Sequence, residues 1–378
     1  MALTTRSAAR DHRVAGLLEP LPDGWAALRD PARDCPVSPT DAMVRPDLLR
    51  RWSLRGGELV EGLASQTAPN RRRILSRITA VDGLTSSQQR AEIAPFERLT
   101  VINPDEPLRF ETPGGPIALR VIDLMMPIGK GQRGLIVAPP RTGKTTLLKQ
   151  IANAIAANYP QMHLLVLLVD ERPEEVTDIR RTVRAEVFAS SKDRTTGSHV
   201  RLARLIVERA RRLVELGNDV CLLLDSLTRL GRAFNAQVGT SGRTMTGGLD
   251  IHALQEPKRI FGAARNIENG GSLTIIASAL IQTGSRADDF IFQEFKGTGN
   301  MEMVLSRELA ERRIWPAVDL RQSGTRKEEL LLPPQDLEKV IRLRRALSKL
   351  PALEQIQTLL AALQRFATNQ QFLEHLPI

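Results

Sequence analysis

The chain has 378 residues, 42% apolar and 25% charged, with a formal net charge of +10. That length suffices for two or three domains, and no apolar run approaches the ~20 residues that span a bilayer. Two cysteines, Cys35 and Cys221, exclude a disulfide framework or a cysteine metal site, and residues 1–13 have no apolar core to serve as a secretory signal.

A soluble protein of the reducing cytoplasm is therefore expected. The basic balance points to a polyanionic partner. It is uneven: residues 1–120 hold 17 Arg and no Lys against 15 acidic residues, a net of +2, and the remaining +8 lies beyond.

In chain order, residues 1–19 read as a polar residual segment. Residues 20–82 are short stretches broken by LPDGW (21–25), GGELVEG (56–62) and the basic turn NRRR (70–73), the texture of a small β barrel. Residues 83–120 read as a linker, with Pro95, Pro104, Pro107, Pro113 and Pro116. From Val121 to the end at residue 378 long apolar runs alternate with helical patterns. Strands are expected at 134–138, 164–169, 220–224 and 273–280. Helices are expected after Gly143 and over 174–184, 200–216 and 306–312. Near-continuous apolar strands between helices predict a parallel sheet covered on both faces, an α/β fold that binds ligands at the carboxyl ends of its strands.

The run LIVAPPRTGKT (135–145) is a strand, a tight turn and a helix start. This is the layout of a phosphate-binding loop, in which Pro139, Pro140, Arg141, Thr142 and Gly143 lead into Lys144, Thr145 and Thr146. Backbone N–H groups cradle phosphates, the Lys144 ammonium reaches the outer ones, and the Thr145 hydroxyl ligates magnesium. The strict pattern has glycine where this chain has Ala138. Some eighty residues on, VCLLLD (220–225) ends a strand in Asp225, suited to complete the magnesium shell. LVLLVDER (165–172) ends another strand in Asp170, Glu171 and Arg172. Either carboxylate can orient a water for attack on the terminal phosphate, and the alternative is a cap on the following helix. Arg326, in the loop SGTRK (323–327), is a candidate finger for a neighbour's phosphates or a solvated surface residue. Two glycine-rich loops, GTSGRTMTGG (239–248) and QTGSRAD (282–288), can offer N–H groups and Arg to a phosphate chain or serve as plain connections.

The words GQRGLIVAPP (131–140), DERPEEV (170–176), FGAAR (261–265), GGSLTII (270–276), EFKGTGN (294–300) and SGTRKEE (323–329) resemble the bacterial transcription termination factor Rho, almost without interruption from Val121 to Leu331. The resemblance implies an OB-like barrel followed by a RecA-like P-loop ATPase domain. It further implies a homohexameric ring that uses ATP and Mg2+ to pull single-stranded RNA through its centre and to release RNA polymerase. It makes Glu171 the catalytic carboxylate, Arg326 the finger from the adjacent subunit and Arg313 a second trans arginine, and puts Arg172 at the subunit boundary. Thr246, Gly247 and Gly248 resemble a first RNA-gripping loop, and Thr283, Gly284, Ser285 and Arg286 a second. In the barrel, Trp25 keeps one of two expected base-stacking rings and Ala27 stands in place of the other. The rival readings are a ring ATPase of the rotary or export type and a Rho-like RNA-remodelling factor with a weakened primary RNA site.

Overall fold

The computed structural model describes residues 11–65, 72–238, 244–245, 248–250 and 252–376. The chain divides into two compact units, one of residues 1–99 with 201–216, the other of residues 100–200 with 217–378.

In the first unit, five strands close a barrel in the order β1-β2-β3-β5-β4: β1 (Asp11–Pro20), β2 (Ala26–Arg29), β3 (Ala42–Val44), β4 (Leu59–Ser65) and β5 (Ile74–Val81). Helices α1 (Pro46–Arg51) and α2 (Ser87–Glu92) complete the local elements. Alternate positions such as Leu18, Leu28, Val44, Val60 and Leu75 fill the barrel, together with Trp52. The barrel begins at Asp11, inside the segment expected to be residual. Its inward alternation is hidden in the sequence because Gly16 marks a close approach to the Arg29 carbonyl rather than an apolar position. Trp52 is 7% exposed and is a core residue, whereas Trp25, at the turn after β1, is half-buried.

The barrel unit includes residues 201–216, most of the later helix α6 (Thr196–Glu215). Charged groups join the two parts. Glu58, fully buried, accepts the N–H groups of Arg55 (2.8 Å) and Gly56 (2.7 Å) and pairs with Arg90 at 3.1 Å. Glu215 pairs with Arg55 at 2.5 Å and Arg212 at 3.2 Å and accepts the N–H of Phe96 at 2.7 Å. Arg209 pairs with Asp82, and Arg201 with Glu19 at 3.1 Å. The expected linker is therefore not an open tether. It carries α2, the buried Phe96 and Phe110, and two short strands, β6 (Val101–Ile102) and β7 (Pro107–Leu108). Its five prolines interrupt elements too short to show a period.

The second unit runs through α3 (Ile117–Met125), β8 (Ile128–Gly129), β9 (Arg133–Ala138), α4 (Lys144–Asn158), β10 (His163–Glu171), α5 (Pro173–Thr182) and β11 (Glu186–Ser191). After α6 follow β12 (Asp219–Asp225), α7 (Leu227–Gln237), β13 (Thr244–Met245), β14 (Leu249–Asp250), α8 (Gln255–Phe261), β15 (Arg265–Ile267), β16 (Ser272–Leu280) and α9 (Arg286–Lys296). The chain ends with β17 (Met301–Val304), α10 (Arg307–Glu311), β18 (Gly324–Thr325), α11 (Pro334–Leu347), α12 (Ala352–Leu363) and α13 (Asn369–Glu374).

The main sheet has the order β11-β10-β12-β16-β9-β17-β18, parallel from β11 to β17. β18 pairs antiparallel with β17, and β15 joins β16 antiparallel. The central strands are buried on both faces, as their unbroken apolar runs require. Burial pushes the thiols of Cys35 and Cys221 up to about 12. Among the described residues no helix is long and apolar enough to cross a membrane.

Replacing Glu58 by Gln leaves Arg90 and Arg212 buried against a smaller negative charge. We expect the full chain to lose about 3 kcal/mol in urea unfolding followed by tryptophan fluorescence. Glu97→Gln removes an exposed partner of Arg211 and is expected to cost less than ~1 kcal/mol in the same measurement.

Candidate active site

The phosphate loop joins β9 to α4 at the carboxyl edge of the sheet. Arg141 turns the chain in the left-handed region (φ 65°), and the buried Thr142 hydroxyl donates to the Pro139 carbonyl at 2.7 Å, tying the loop back on itself. Gly143 caps α4 at φ 81°, and a β-carbon there would lie 2.8 Å from the Trp315 ring. Only glycine fits both demands. The free N–H groups of a 15-residue helix then face the loop, with Lys144 first in the helix and Thr145 half-buried beside it. Thr146 is exposed one position further.

Three charged groups meet next to this loop. Lys144 Nζ contacts Asp225 Oδ1 and lies 3.6 Å from Glu171 Oε1. Asp225 ends β12, is 2% exposed, and accepts the Ser278 hydroxyl at 2.7 Å. Glu171 ends β10 and is 1% exposed. The register of β10 shifts between Val169 and Glu171, where Asp170 adopts φ 55°. This bulge decides between the two adjacent carboxylates. Glu171 turns into the site, and Asp170 faces Arg229 at 3.6 Å. The cap reading fails, because α5 starts from exposed Arg172 with no side-chain cap.

Both Glu171 oxygens and Asp225 Oδ2 are buried with no hydrogen-bond partner within the protein. Groups left this way call for a ligand, an ion or a water. A hydroxyl at Thr145 and an unsatisfied carboxylate oxygen at Asp225 are hard oxygen donors, which suits magnesium held partly by water and phosphate. Burial first, and then the Asp225 carboxylate, raise the Glu171 carboxyl well above the ordinary carboxylate range; Lys144 and Arg229 oppose this.

A cavity of about 480 Å3 opens beside the loop, lined by Ile117, Thr142, Gly143, Leu147, Trp315 and Pro316 among others. Trp315 is 44% exposed and offers an aromatic face to a planar base. Sequence reasoning missed it; the available signal was one of only three tryptophans, set before a proline and after a basic pair.

The remaining candidates are spread more widely. Arg313, exposed at φ 60°, lines a cavity of about 520 Å3 with Pro140, Arg141 and Arg307, so the phosphate loop it adjoins is its own chain's. Arg326 is exposed and lines another cavity of about 490 Å3 with Lys296, Asn300 and Arg321, with no phosphate-loop residue among its walls. Thr246 and Gly247 lie outside the described residues. Gly248 is exposed at φ 78°, and its carbonyl accepts from Asn235 at 3.2 Å. Thr283, Gly284 and Arg286 are exposed, and Ser285 is the N-cap position of α9.

The family model for the Rho termination factor RNA-binding domain matches residues 14–87, and that for the ATP synthase alpha/beta family nucleotide-binding domain matches residues 118–325. The chain is 50% identical over 363 residues to transcription termination factor Rho of Cereibacter sphaeroides, covering 95% of this chain and 86% of that protein. It is 50% identical to that of Aquifex aeolicus (96% and 84%) and 51% identical to that of Streptomyces coelicolor (95% and 85%). The chain belongs to the Rho family. It is an ATP-hydrolysing enzyme with an RNA-binding domain.

Solved structures that share its fold include two ATPase-related chains. One is an ATPase from the type III secretion system of pathogenic bacteria, with a TM-score of 0.58 at 22% identity over 75% of this chain and 78% of that one. The other is an ATP synthase subunit of Nanoarcheaum equitans, with a TM-score of 0.57 at 19% identity over 67% and 65%. That likeness is one of fold. Identity at half of all positions with Rho proteins favours the Rho reading over the rotary or export one.

Glu171→Gln keeps the size of the side chain and removes its charge. We expect turnover to fall at least 100-fold while nucleotide affinity in equilibrium titration stays within a few-fold. If Glu171 works as the base proposed below, its working form is the carboxylate, and its upward shift should move the acid limb of kcat/KM for ATP from the usual carboxylate range towards neutrality. A pH series should display that limb in the parent and lack it in the residual activity of Glu171→Gln.

Proposed function

We propose that this chain is an RNA-stimulated ATPase and translocase that terminates transcription, working in the cytoplasm as a homohexameric ring. The observation that carries the reading is the buried pair of unsatisfied carboxylates, Glu171 and Asp225, facing Lys144 at a phosphate loop. The Rho-type RNA-binding domain in the same chain supports RNA as the polyanionic partner.

In this reading the loop N–H groups bind the phosphates of ATP, with Arg141 and Arg313 beside them. The apolar cavity takes the base against Trp315. Lys144 leaves Asp225 for the outer phosphates, while Asp225 Oδ1 keeps the Ser278 hydroxyl and Oδ2 stays open. Thr145 and Asp225 would hold magnesium, which would supply positive charge to offset that of the phosphates. Glu171 accepts a proton from the attacking water at its carboxylate and orients it towards the terminal phosphorus. Arg326 comes from the neighbouring subunit to the developing charge, and Arg172 lies at that boundary. Thr283 to Arg286, with the loop that ends at Gly248, grip RNA in the ring. The barrel offers Trp25 as a stacking face and arginines such as Arg72 and Arg73 to phosphates. With one ring where two are expected, its binding should be salt-sensitive and weakly selective. RNA polymerase is the implied partner at the far end of the transcript.

ATP hydrolysis measured across RNA homopolymers tests this directly. At least one RNA should raise the rate tenfold or more, and Lys144→Ala should abolish both basal and stimulated rates. Arg326→Ala should lose on the order of 10³ in turnover. Mixed rings of Arg326→Ala and Lys144→Ala subunits should recover part of it, since some interfaces then join an intact Lys144 to an intact Arg326. No recovery in rings of verified composition would remove the trans role.

A further inference from the structure

Glu171 stands on the least supported stretch of its strand. β10 pairs with β12 only as far as Leu168, opposite Asp225. Beyond that point its backbone pairs with β11 alone, Val169 with Ser190 and, across the bulge at Asp170, Glu171 with Ser191. The Lys192 N–H then donates to the Glu171 carbonyl at 2.9 Å. β11 is itself an edge strand of the sheet. A strand that slips by one residue turns its side chains to the other face, so whatever fixes the end of β11 also fixes where Glu171 points.

Of the five histidines in the chain, His199 is the one that is buried, and it stands at that strand end. The chain leaves β11 through a tight turn, in which the Arg194 N–H donates to the Ser191 carbonyl at 2.9 Å and the Ser191 hydroxyl to Asp193 Oδ1 at 2.6 Å. It returns as the first turn of α6, where His199 Nδ1 lies 2.7 Å from Ser190 Oγ. Ser190 is 2% exposed, and its hydroxyl donates to Ser198 Oγ at 3.2 Å. With its one hydrogen so used, Ser190 Oγ accepts from the ring, which puts the His199 proton on Nδ1. Burial lowers the pKa of His199 against the opposing pull of Asp170 and Asp193, so the ring is held neutral. The two bonds pin β11 at Ser190, level with Val169 and immediately before the bulge.

We propose that His199 is a positioning residue for ATP hydrolysis: its Nδ1–H, bonded to Ser190, pins the end of β11 and so holds Glu171 in the direction from which it orients the attacking water. His199 acts through the backbone of two strands and does not touch the reacting atoms. The phosphate loop stands on β9 and α4, away from this pin, so nucleotide binding does not depend on it. A carboxylate displaced by a fraction of an ångström loses rate without losing ligand, and the loss falls on kcat rather than KM. This inference rests on the role proposed above for Glu171.

The test uses the full chain and the homopolymer RNA that stimulates the parent most. His199→Leu, which keeps bulk and removes the N–H, should lower kcat by about tenfold or more, with KM and equilibrium nucleotide affinity within about threefold of the parent. His199→Asn places an N–H where Nδ1 stood and should recover most of that loss; His199→Gln, whose amide reaches the place of Nε2, should not. Ser190→Ala removes the other partner and should match His199→Leu, and it decides the matter if His199→Leu does not fold. Combined with Glu171→Gln, His199→Leu should cost nothing further in single-turnover rate, because the group it positions is already disabled. Unchanged kcat in both His199→Leu and Ser190→Ala overturns the proposal. So does an equal loss of kcat and nucleotide affinity, which would make the pin merely structural, an Asn variant no better than Leu, or a full further loss in the Glu171→Gln background. Normal turnover in Glu171→Gln alone overturns the functional reading and this one with it; a disabled Glu171→Gln beside an unaffected His199→Leu overturns this one alone.

Discussion

Two carboxylates held out of water around one ammonium form the constraint on which the ATPase unit depends. Glu171 and Asp225 end neighbouring parallel strands, and the register that sets Leu168 opposite Asp225 brings them together beside Lys144. Neither charge is comfortable there without Lys144, and Glu171 answers by holding its proton more tightly. A nucleotide that draws Lys144 away must therefore bring compensating positive charge. Such a site is built to exchange partners rather than to rest in one arrangement.

The parallel order of the strands serves that site. β9, β10 and β12 all end at the edge where the phosphate loop, Glu171 and Asp225 stand, because each crosses back through a helix before the next strand begins. The antiparallel additions, β15 and β18, lie off the path that builds it. Function is thus concentrated where several strand ends meet, and the opposite edge is free for connections.

Much of this can be read from the residues themselves. The runs at 134–138, 164–169, 220–224 and 273–280 are strands within a residue or two, since burial on both faces leaves an unbroken apolar signature. The phosphate loop and Asp225 are equally legible, because glycine, lysine and a strand-ending carboxylate have few other uses in that order. What stays hidden depends on tertiary neighbours. The choice between Asp170 and Glu171 rests on a one-residue bulge. Helix α7 is absent from the helices expected above, because a glycine in its middle weakens the helical pattern; in the fold Ile291 and Leu254 lie against that glycine. Trp315 becomes a candidate only through the cavity it lines.

The barrel unit is discontinuous, and this has a consequence for how the protein is made. Glu58 and Arg90 are ready once residue 99 has been synthesised, but Arg212 and Glu215 are encoded more than a hundred residues later. At bacterial rates of elongation that interval is on the order of 10 s. During it the ribosome extrudes β9, the phosphate loop, β10 and β11 while the barrel still lacks part of its ionic frame. The RNA-binding unit is the first to begin folding, and it cannot be finished until the motor is well under way.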